Sequence, residues 1–337
     1  MHIAIVGGGA LGLLHAAKLA STEAEVTVWT RTEHQSALLA DEGIRLLELD
    51  EAGGAREASP QPAKIAKVHS RSLSAAAAEA EAEAGCVGQQ QAPDWIIVTV
   101  KQADLTRELL RAIGKLAAPA AAILFLQNGI GHLELAAQEL PALPLFIGVT
   151  TEGALRQDER TVRHTGRGQL ALGLASLNRQ AAGKKDENQQ IMLQNALQLA
   201  GFTVLLSKTM NNRVYEKLLI NAIINPLTAI FDVTNGELPQ HSARLRLMRA
   251  LYEETNEILR VAGGAELGEG AWERVLAVCE ATSANVSSML SDVRAGRPTE
   301  VQWINGGVSS LARRGGMESP LNDAMSEMVR HLQDDRL

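Results

Sequence analysis

Three polar side chains lie four residues apart in an otherwise apolar stretch of this sequence: Lys217, Asn221 and Asn225. On a helix of 3.6 residues per turn this spacing places them on one face, in a polar stripe about 12 Å long. The residues between them are aliphatic, which predicts a buried helix. An unpaired amide there costs about 1 to 3 kcal/mol, and an unpaired ammonium costs more. The stripe therefore indicates either an internal hydrogen-bond network or a site for a small polyoxygenated ligand, with Lys217 as its proton donor.

Pro226 follows this stripe directly. Proline has no N–H to donate to the carbonyl of Ala222, and it disfavours helical geometry at the preceding Asn225. We therefore expect Asn225 to leave helical geometry and the helix to kink where the stripe ends.

Composition excludes several classes of protein. A chain of 337 residues predicts two domains. A net charge of −7 without a basic cluster argues against a general nucleic-acid binder. The two cysteines, Cys86 and Cys279, form neither a disulfide framework nor a zinc spacing, so no metal site is expected. We see no signal-peptide pattern and no stretch as long as a membrane span, and we expect a cytoplasmic protein without a membrane partner.

The N-terminus carries a glycine motif between predicted structural elements. A β-rich run at residues 2–6 precedes it, a helical run at 13–20 follows, and a second strand is predicted at 25–29. In this context GxGxxG is typical of a dinucleotide-binding turn, where a pyrophosphate sits on the helix N-terminus. The expected cofactor-binding residues of this loop are Gly7, Gly8, Gly9, Ala10, Leu11 and Gly12.

The residue type after the second strand selects between the two nicotinamide cofactors. NAD sites usually place an acid there to hold the ribose 2′-hydroxyl, whereas NADP sites favour arginine for the 2′-phosphate. This chain has Thr30-Arg31 at that point, with Glu33 two residues later. We therefore predict NADPH/NADP, with Arg31 on the phosphate; a solvated surface arginine is the alternative.

Two further polar residues follow predicted buried strands. Lys101 comes directly after the apolar run 94–100, and Asn128 follows the run 121–126. Because open α/β sheets bind ligands beyond the carboxyl ends of their strands, we expect Lys101 to point into the ligand crevice rather than merely to solvent. Asn128 is for the same reason a candidate for contact with the cofactor or substrate. Asn128-Gly129 is also a common turn pair, and that alternative stays open.

The predicted architecture is an α/β, Rossmann-type dinucleotide-binding domain over residues 1–207, followed by an all-helical domain over 208–337. Residues from about 73 to 91 are of low complexity and suggest either a surface helix or a mobile segment. Residues from about 178 to 190 suggest a polar surface loop. Helical periodicity over 211–230, 240–262, 270–295 and 299–314, with a last helix from about 320, predicts the second domain. We expect the active site in the cleft between the two domains.

Two polar features of the helical half have competing interpretations. Ser288 lies in a predicted amphipathic helix, where a serine either bonds back to the preceding turn or binds a ligand. Glu300 lies where the next helix is predicted to start, and an acid there stabilises a helix N-terminus by about 0.3 to 1 kcal/mol without any function.

Taken together, these stretches resemble the ketopantoate reductase (2-dehydropantoate 2-reductase) family. The resemblance covers nearly the whole chain and omits only the segments near 73–91 and 178–190. The residues that carry it are Gly7–Gly12, Val100-Lys101, Asn128-Gly129, Glu216-Lys217-Leu218 with Asn221 and Ile224–Ala229, Asn235-Gly236-Glu237, Asn285–Leu290, Pro298-Thr299-Glu300 and Ile304-Asn305-Gly306.

The resemblance implies NADPH-dependent reduction of an α-keto acid, ketopantoate, to pantoate, with a possible homodimer. It implies that Lys217 is the general acid and that Glu300 lies where the substrate hydroxyl meets the cofactor. The substrate-binding residues it implies are Asn221, Asn225, Asn235 and Ser288; the cofactor-binding residues are Arg31, Lys101, Asn128, Ala154 and Glu300, besides the glycine loop. Gln127 and the pair Glu152-Gly153 depart from the family pattern.

The chemistry of the stripe agrees with such a reaction. Hydride addition to an α-keto acid leaves an alkoxide, which needs a cation and a proton, and a partly desolvated Lys217 supplies both. A related NAD(P)-dependent dehydrogenase of 2-hydroxy or β-hydroxy acids, or an opine-type reductase, is the nearest alternative. A non-catalytic NADPH-binding protein is the third, but it would have no need of Lys217.

Overall fold

The computed structural model describes residues 1–48, 63–83, 92–175 and 184–334. The chain forms two compact units. The first comprises Met1–Gln127 with His132–Met210, and the second comprises Asn128–Gly131 with Asn211–Leu337. The sequence analysis placed one domain boundary after residue 207; it did not predict that the short segment 128–131 belongs to the helical unit.

The first unit is built on a large, mostly parallel sheet. Its strands are β1 (His2–Val6), β2 (Glu25–Thr30), β5 (His69–Ser72), β6 (Trp95–Val98), β7 (Ala122–Phe125), β8 (Leu145–Thr150), β11 (Gln169–Leu174) and β12 (Thr203–Leu206). They are ordered β12-β11-β8-β7-β6-β1-β2-β5, and the β11–β8 pair alone is antiparallel. All residues of β1, β6 and β7 are buried. This explains their continuous apolar sequences, because parallel strands are covered on both faces.

The structure also has a second sheet of four short strands. The sequence suggests strands at residues 43–49 and 64–69, where two of them lie, but their pairing into a separate sheet was not predicted. It consists of β3 (Ile44–Leu47), β4 (Lys64–Ala66), β9 (Gly153–Arg156) and β10 (Thr161–Gly166), ordered β4-β3-β10-β9. Much of β4 and β9 is exposed or only half-buried, so their sequences lack the apolar run that marks β1. Strands β9 and β10 contact the helix that follows the glycine loop, α1 (Ala10–Leu19).

The remaining helices of the first unit are α2 (Glu33–Glu42), α3 (Leu73–Glu83), α4 (Arg107–Leu116), α5 (His132–Glu139) and α6 (Lys184–Leu199). Of the low-complexity segment, residues 73–83 form α3 and residues 84–91 lie outside the described chain. The polar loop expected over 178–190 is wrong for its second half, because α6 already begins at Lys184. Lys, Glu and Gln are good helix formers, so polarity alone did not exclude a helix. Residues 178–183 lie outside the described chain.

The second unit is helical in its described residues. It contains α7 (Met210–Phe231), α8 (Ser242–Val261), α9 (Ala271–Ala281), α10 (Ser288–Arg294), α11 (Asn305–Arg314) and α12 (Pro320–Asp334), which share an apolar core. Two expected boundaries are wrong. The span 270–295 is broken between α9 and α10, and residues 299–304 are not yet helical, with turns at 301–304 before α11. Glu300 therefore does not lie at a helix N-terminus, so stabilisation of a helix does not explain why position 300 is an acid.

Helix α7 continues through Pro226 to Phe231, so the expectation that Asn225 leaves helical geometry is wrong. The Ala222 carbonyl, which Pro226 cannot reach with an N–H, instead accepts a hydrogen bond of 2.9 Å from Asn305 Nδ2. The same nitrogen donates to Asn322 Oδ1 at 3.0 Å, and both asparagines are fully buried. A side chain from α11 thus supplies the donor that proline removes.

Helix α7 is long and apolar enough to cross a membrane, by length and composition alone. However, 56% of its most apolar window is buried inside the protein. This burial is typical of a core helix, which is the role α7 has in the second unit.

Candidate active site

The glycine loop joins β1 to α1 at the carboxyl edge of the large sheet. Gly7 has φ of +113°, a left-handed conformation that favours glycine. Thr99, which follows β6, fixes the loop by donating from Oγ1 to the carbonyls of Val6 and Gly7 at 3.0 and 3.2 Å. Gly9 caps α1 without any side-chain hydrogen bond, so no side chain satisfies the first N–H groups of that helix at its cap.

Gly9 and Gly12 are glycines for different physical reasons. A Cβ on Gly12 would lie 1.9 Å from the Gly7 carbonyl oxygen, so the helix can pack against the loop only with glycine there. A Cβ on Gly9 would meet no atom of the described residues within 4 Å. Open space beside an uncapped helix N-terminus suits a pyrophosphate, so the loop fits the dinucleotide cofactor.

Two side chains that the sequence analysis did not identify hold this loop in place. Gln35 of α2 donates from Nε2 to the Gly8 carbonyl at 2.9 Å, and Arg156 of β9 donates to the same oxygen at 3.2 Å. A Cβ on Gly8 would lie 2.5 Å from the Gln35 amide. Gly8 is therefore a glycine because Gln35 occupies the space beside it, a contact between residues 27 positions apart that no local pattern reveals.

Arg31 and Lys101 lie at the carboxyl ends of the strands on either side of β1. Arg31 follows β2 and is exposed, whereas Lys101 follows β6 and is partly buried. Arg31 also makes an ion pair with Asp104, Nη1 to Oδ1 at 3.6 Å. The structure thus places two predicted cofactor-binding cations at the edge where the glycine loop lies.

Ala154 lies on β9, partly buried against the core of the first unit. The preceding Glu152 forms a buried pair with His164, Oε2 to Nε2 at 2.6 Å. Burial alone would raise the pKa of the Glu152 carboxyl, but hydrogen bonds from His164 and the Gly168 N–H outweigh it and hold that pKa below 4.5. This pair fixes the turn that leads to Ala154.

In the second unit, α7 carries the polar stripe as predicted. Asn225 is buried, whereas Lys217 and Asn221 are partly exposed, so the stripe meets solvent at the end that carries Lys217. Burial lowers the pKa of Lys217 from 10.5 to about 8, although the negative charge of Glu300 acts in the opposite direction. An ammonium whose pKa lies near neutrality is an efficient proton donor.

The structure brings Asn128 and Glu300 together. Asn128 Nδ2 donates to Glu300 Oε2 at 2.8 Å, and the neighbouring Ile130 N–H donates to the Trp303 carbonyl at 3.2 Å. Gly129 has φ of +79°, and a Cβ there would lie 2.4 Å from that same carbonyl oxygen. The Asn-Gly pair is thus more than a turn: its conformation lets the segment pack against residues 300–303.

Ser288 and its neighbour Ser287 have different environments. Ser287 is the buried N-cap of α10; its Oγ accepts from the Leu290 N–H at 3.1 Å and from Thr228 Oγ1 of α7 at 2.7 Å. Ser288 is the first residue of α10 and is exposed, so a bond back to a preceding helical turn does not account for it. The structural role belongs to Ser287.

Asn235 lies between α7 and α8 and is buried. Its Nδ2 donates to Thr282 Oγ1 at 2.8 Å, and its backbone N–H donates to the Asn285 carbonyl at 3.0 Å. Its Oδ1 is buried without a hydrogen-bond partner in the described structure. One end of this carboxamide is therefore already used within the unit, and the other end is a buried acceptor without a partner among the described residues.

The first unit is of the Rossmann type and has an intact glycine loop, and the helical unit carries a lysine of lowered pKa near a carboxylate. Together these features define the class of nicotinamide-dependent oxidoreductases. Comparison with known proteins identifies the family. Residues 3–176 match the family described as ketopantoate reductase PanE/ApbA, and residues 209–333 match its C-terminal model. The chain belongs to the ketopantoate reductase family.

Individual relatives agree with this assignment. The 2-dehydropantoate 2-reductase of Bacillus subtilis is 33% identical over 321 residues, which is 95% of this chain and 93% of that protein. The crystal structure of a probable 2-dehydropantoate 2-reductase from Bacillus subtilis has a TM-score of 0.77 at 30% identity, covering 98% of this chain and 100% of that one. A D-mandelate dehydrogenase bound to NADH and anilino(oxo)acetate has a TM-score of 0.80 at 24% identity, covering 100% of this chain and 99% of that one, and shares the fold.

Proposed function

We propose that this protein reduces 2-dehydropantoate (ketopantoate) to pantoate with NADPH. The observation that carries the proposal is the environment of Lys217: an ammonium with a pKa of about 8, on a helix whose same face carries Asn221 and Asn225, in a chain of the ketopantoate reductase family. An α-keto acid is the substrate class that needs this arrangement, since its reduction develops negative charge on a single oxygen.

In this proposal Lys217 acts on the C2 oxygen of the substrate. Its ammonium polarises the ketone carbonyl in the ground state and donates a proton to the oxygen as the alkoxide forms. A lysine of ordinary pKa would hold its proton too strongly for efficient transfer near neutral pH. Burial makes Lys217 a stronger acid, and Glu300 limits this effect, so the side chain stays mostly charged at pH 7.

The uncharged polar groups orient the substrate. Asn221 and Asn225 extend the stripe away from Lys217 by one helical turn each, and a carboxamide can donate to a carbonyl or accept from a hydroxyl without adding charge. Ser288 is exposed at the start of α10 and is assigned to the substrate carboxylate. Asn235 is assigned to a substrate oxygen that donates a proton, because its Oδ1 is the atom without a partner.

Glu300 is assigned to the substrate hydroxyl, and Asn128 fixes it. The hydrogen bond from Asn128 Nδ2 holds one carboxylate oxygen, Oε2, and a carboxylate has further lone pairs that accept hydrogen bonds. A carboxylate held in this way accepts from a hydroxyl group, which suits a substrate that carries both a keto acid and a hydroxyl.

The first unit is proposed to hold the cofactor. The open side of Gly9 and the N-terminus of α1 receive the pyrophosphate, Arg31 binds the adenosine 2′-phosphate, and Lys101 and the backbone around Ala154 add further contacts. When bound, NADPH supplies the hydride. The protein is further proposed to be cytoplasmic and to form a homodimer. Light scattering coupled to size-exclusion chromatography tests whether it is a dimer.

The direct test is NADPH oxidation at about 340 nm with ketopantoate, run beside NADH and beside a keto acid that lacks the hydroxyl. Turnover with ketopantoate, preference for NADPH, and loss of about 10² to 10⁴ in kcat for Lys217→Ala are expected. Lys64→Ala is the matched control, because this exposed lysine of β4 lies in the other unit. If the wild-type protein binds NADPH but reduces only the keto acid without the hydroxyl, the substrate assignment is wrong.

A further inference from the structure

Asp104 lies beside the arginine expected to recognise the cofactor's 2′-phosphate. It ends a short 3-10 turn, Gln102–Asp104, that follows β6, whereas Arg31 follows β2. In the sheet β1 lies directly between these strands, so the ends of β2 and β6 are about 10 Å apart. The ion pair between Arg31 and Asp104 therefore connects the two strands that flank the glycine loop.

This ion pair contributes little to stability. The side chain of Arg31 is 85% exposed and that of Asp104 is 50% exposed, at a separation of 3.6 Å. Exposed pairs of this kind are typically worth about 0 to 1 kcal/mol, because solvent screens the charges and both side chains lose freedom. Fold stability therefore does not explain why position 104 is an aspartate.

The backbone nevertheless fixes the position of the carboxylate. The Asp104 N–H donates to the Lys101 carbonyl at 2.9 Å, and the Asp104 carbonyl accepts from the Thr106 N–H at 3.0 Å. Thr106 in turn caps α4. When Arg31 turns toward a phosphate, the flexible arginine side chain moves, but the negative charge of Asp104 stays at the edge of the site.

We propose that Asp104 is a specificity-determining residue that weakens the preference for NADPH over NADH. Its carboxylate competes with the 2′-phosphate for the Arg31 guanidinium and repels the phosphate, which carries close to two negative charges. NADH has a hydroxyl at that position and experiences neither effect. The inference rests on the proposed assignment of Arg31 to the 2′-phosphate, and it predicts that this chain discriminates between the two cofactors less strongly than Arg31 alone would allow.

The size of the effect follows from Coulomb's law. A carboxylate about 6 to 8 Å from a phosphate with nearly two charges, in surroundings close to water, changes affinity by about threefold to tenfold at low salt. Screening reduces this factor as the ionic strength rises. Removing the charge with an isosteric side chain, Asp104→Asn, is therefore expected to tighten NADPH binding by that factor and to leave NADH nearly unchanged.

Isothermal titration calorimetry on the full-length protein tests the proposal without any turnover. The ligands are NADPH and NADH, together with adenosine 2′,5′-bisphosphate and AMP, which differ in the 2′-phosphate but lack nicotinamide. Glu25→Gln is the matched control: it removes the same charge from an exposed residue at the other end of β2, about 20 Å away along the strand. Arg31→Ala tests the underlying assignment separately.

For Asp104→Asn, the dissociation constants of NADPH and the bisphosphate are expected to fall about threefold to tenfold at low salt, with less than about a twofold change for NADH and AMP. Equal effects on all four ligands, no effect, or weaker NADPH binding would overturn the proposal; the last result would mean that Asp104 orients Arg31 for the phosphate. Arg31→Ala should lose affinity only for the two ligands with a 2′-phosphate. If it does not, the assignment of Arg31 is wrong independently of the result for Asp104.

Discussion

The pH dependence of reduction should report the protonation of Lys217. Its ammonium must carry the proton that it donates, so the rate of the chemical step follows the protonated fraction. With a pKa of about 8 that fraction is high at neutral pH and falls as pH rises. Glu300 raises the pKa of Lys217, so removing its charge in Glu300→Gln should lower that pKa and move the alkaline fall in rate to lower pH.

The magnitude follows from the position of this pKa. A group with a pKa near 8 is about 90% protonated at pH 7 and about 10% protonated at pH 9, so the rate should fall about tenfold over this range. A lysine at its ordinary value of 10.5 would lose less than about 5% of its protonated form over the same range. The two cases are therefore easy to separate.

The assay is single-turnover reduction of ketopantoate from pH 6.5 to 9.5 at constant ionic strength. NADPH deuterated at the transferred hydrogen shows through the isotope effect that the chemical step is being measured. Lys64→Ala should give the wild-type profile, because this lysine is exposed on β4.

Two results would refute the reasoning. A profile that stays flat to pH 9.5, with the isotope effect retained, would mean that the proton does not come from a lysine with a pKa near 8. A Glu300→Gln profile that moves to higher pH would contradict the sign of the interaction between Lys217 and Glu300.

Two further predictions concern the supporting structure. Asn305→Ala should lower the free energy of unfolding by about 2 to 4 kcal/mol in urea titrations, because it leaves the Ala222 carbonyl and a second buried group unpaired. Adding Pro226→Ala should recover part of this loss, since alanine restores the backbone N–H that can reach the Ala222 carbonyl. Strictly additive effects in the double-mutant cycle would mean that the Asn305 side chain does not replace the N–H that Pro226 lacks. Gly9→Ala should keep the wild-type melting temperature yet weaken NADPH binding in fluorescence titrations, whereas Gly12→Ala should reduce both; retained NADPH affinity in Gly9→Ala would exclude the pyrophosphate from that side of the loop.

Features with a local signal were predictable from the sequence. The Rossmann-type fold and the helical second half are confirmed, because continuous apolar strands, a glycine turn and helical periodicity are each visible within about 20 residues. The stripe of Lys217, Asn221 and Asn225 was visible for the same reason. Their roles toward substrate, like those of the other proposed site residues, stay predictions.

Features that depend on distant contacts were not predictable. The contact of Gln35 with Gly8 joins residues 27 positions apart, and that of Asn128 with Glu300 joins residues 172 apart. The sequence suggests two strands of the second sheet, at residues 43–49 and 64–69, but not their pairing with β9 and β10, because short, half-exposed strands lack an apolar run. One signal could have been used: Pro226 leaves the carbonyl four residues earlier without its helical donor, which requires a polar partner such as Asn305 from elsewhere.

The segment Asn128–Gly131 makes the helical unit discontinuous in sequence. The chain passes between the two units at 127/128, 131/132 and 210/211. No single cut can therefore separate them: a fragment that starts at residue 211 loses the side chain that holds Glu300 and the N–H that pairs with the Trp303 carbonyl. Limited proteolysis or truncation should not yield an intact helical domain, and gene fusions that splice in a foreign C-terminal half would have to bring its matching four-residue segment as well.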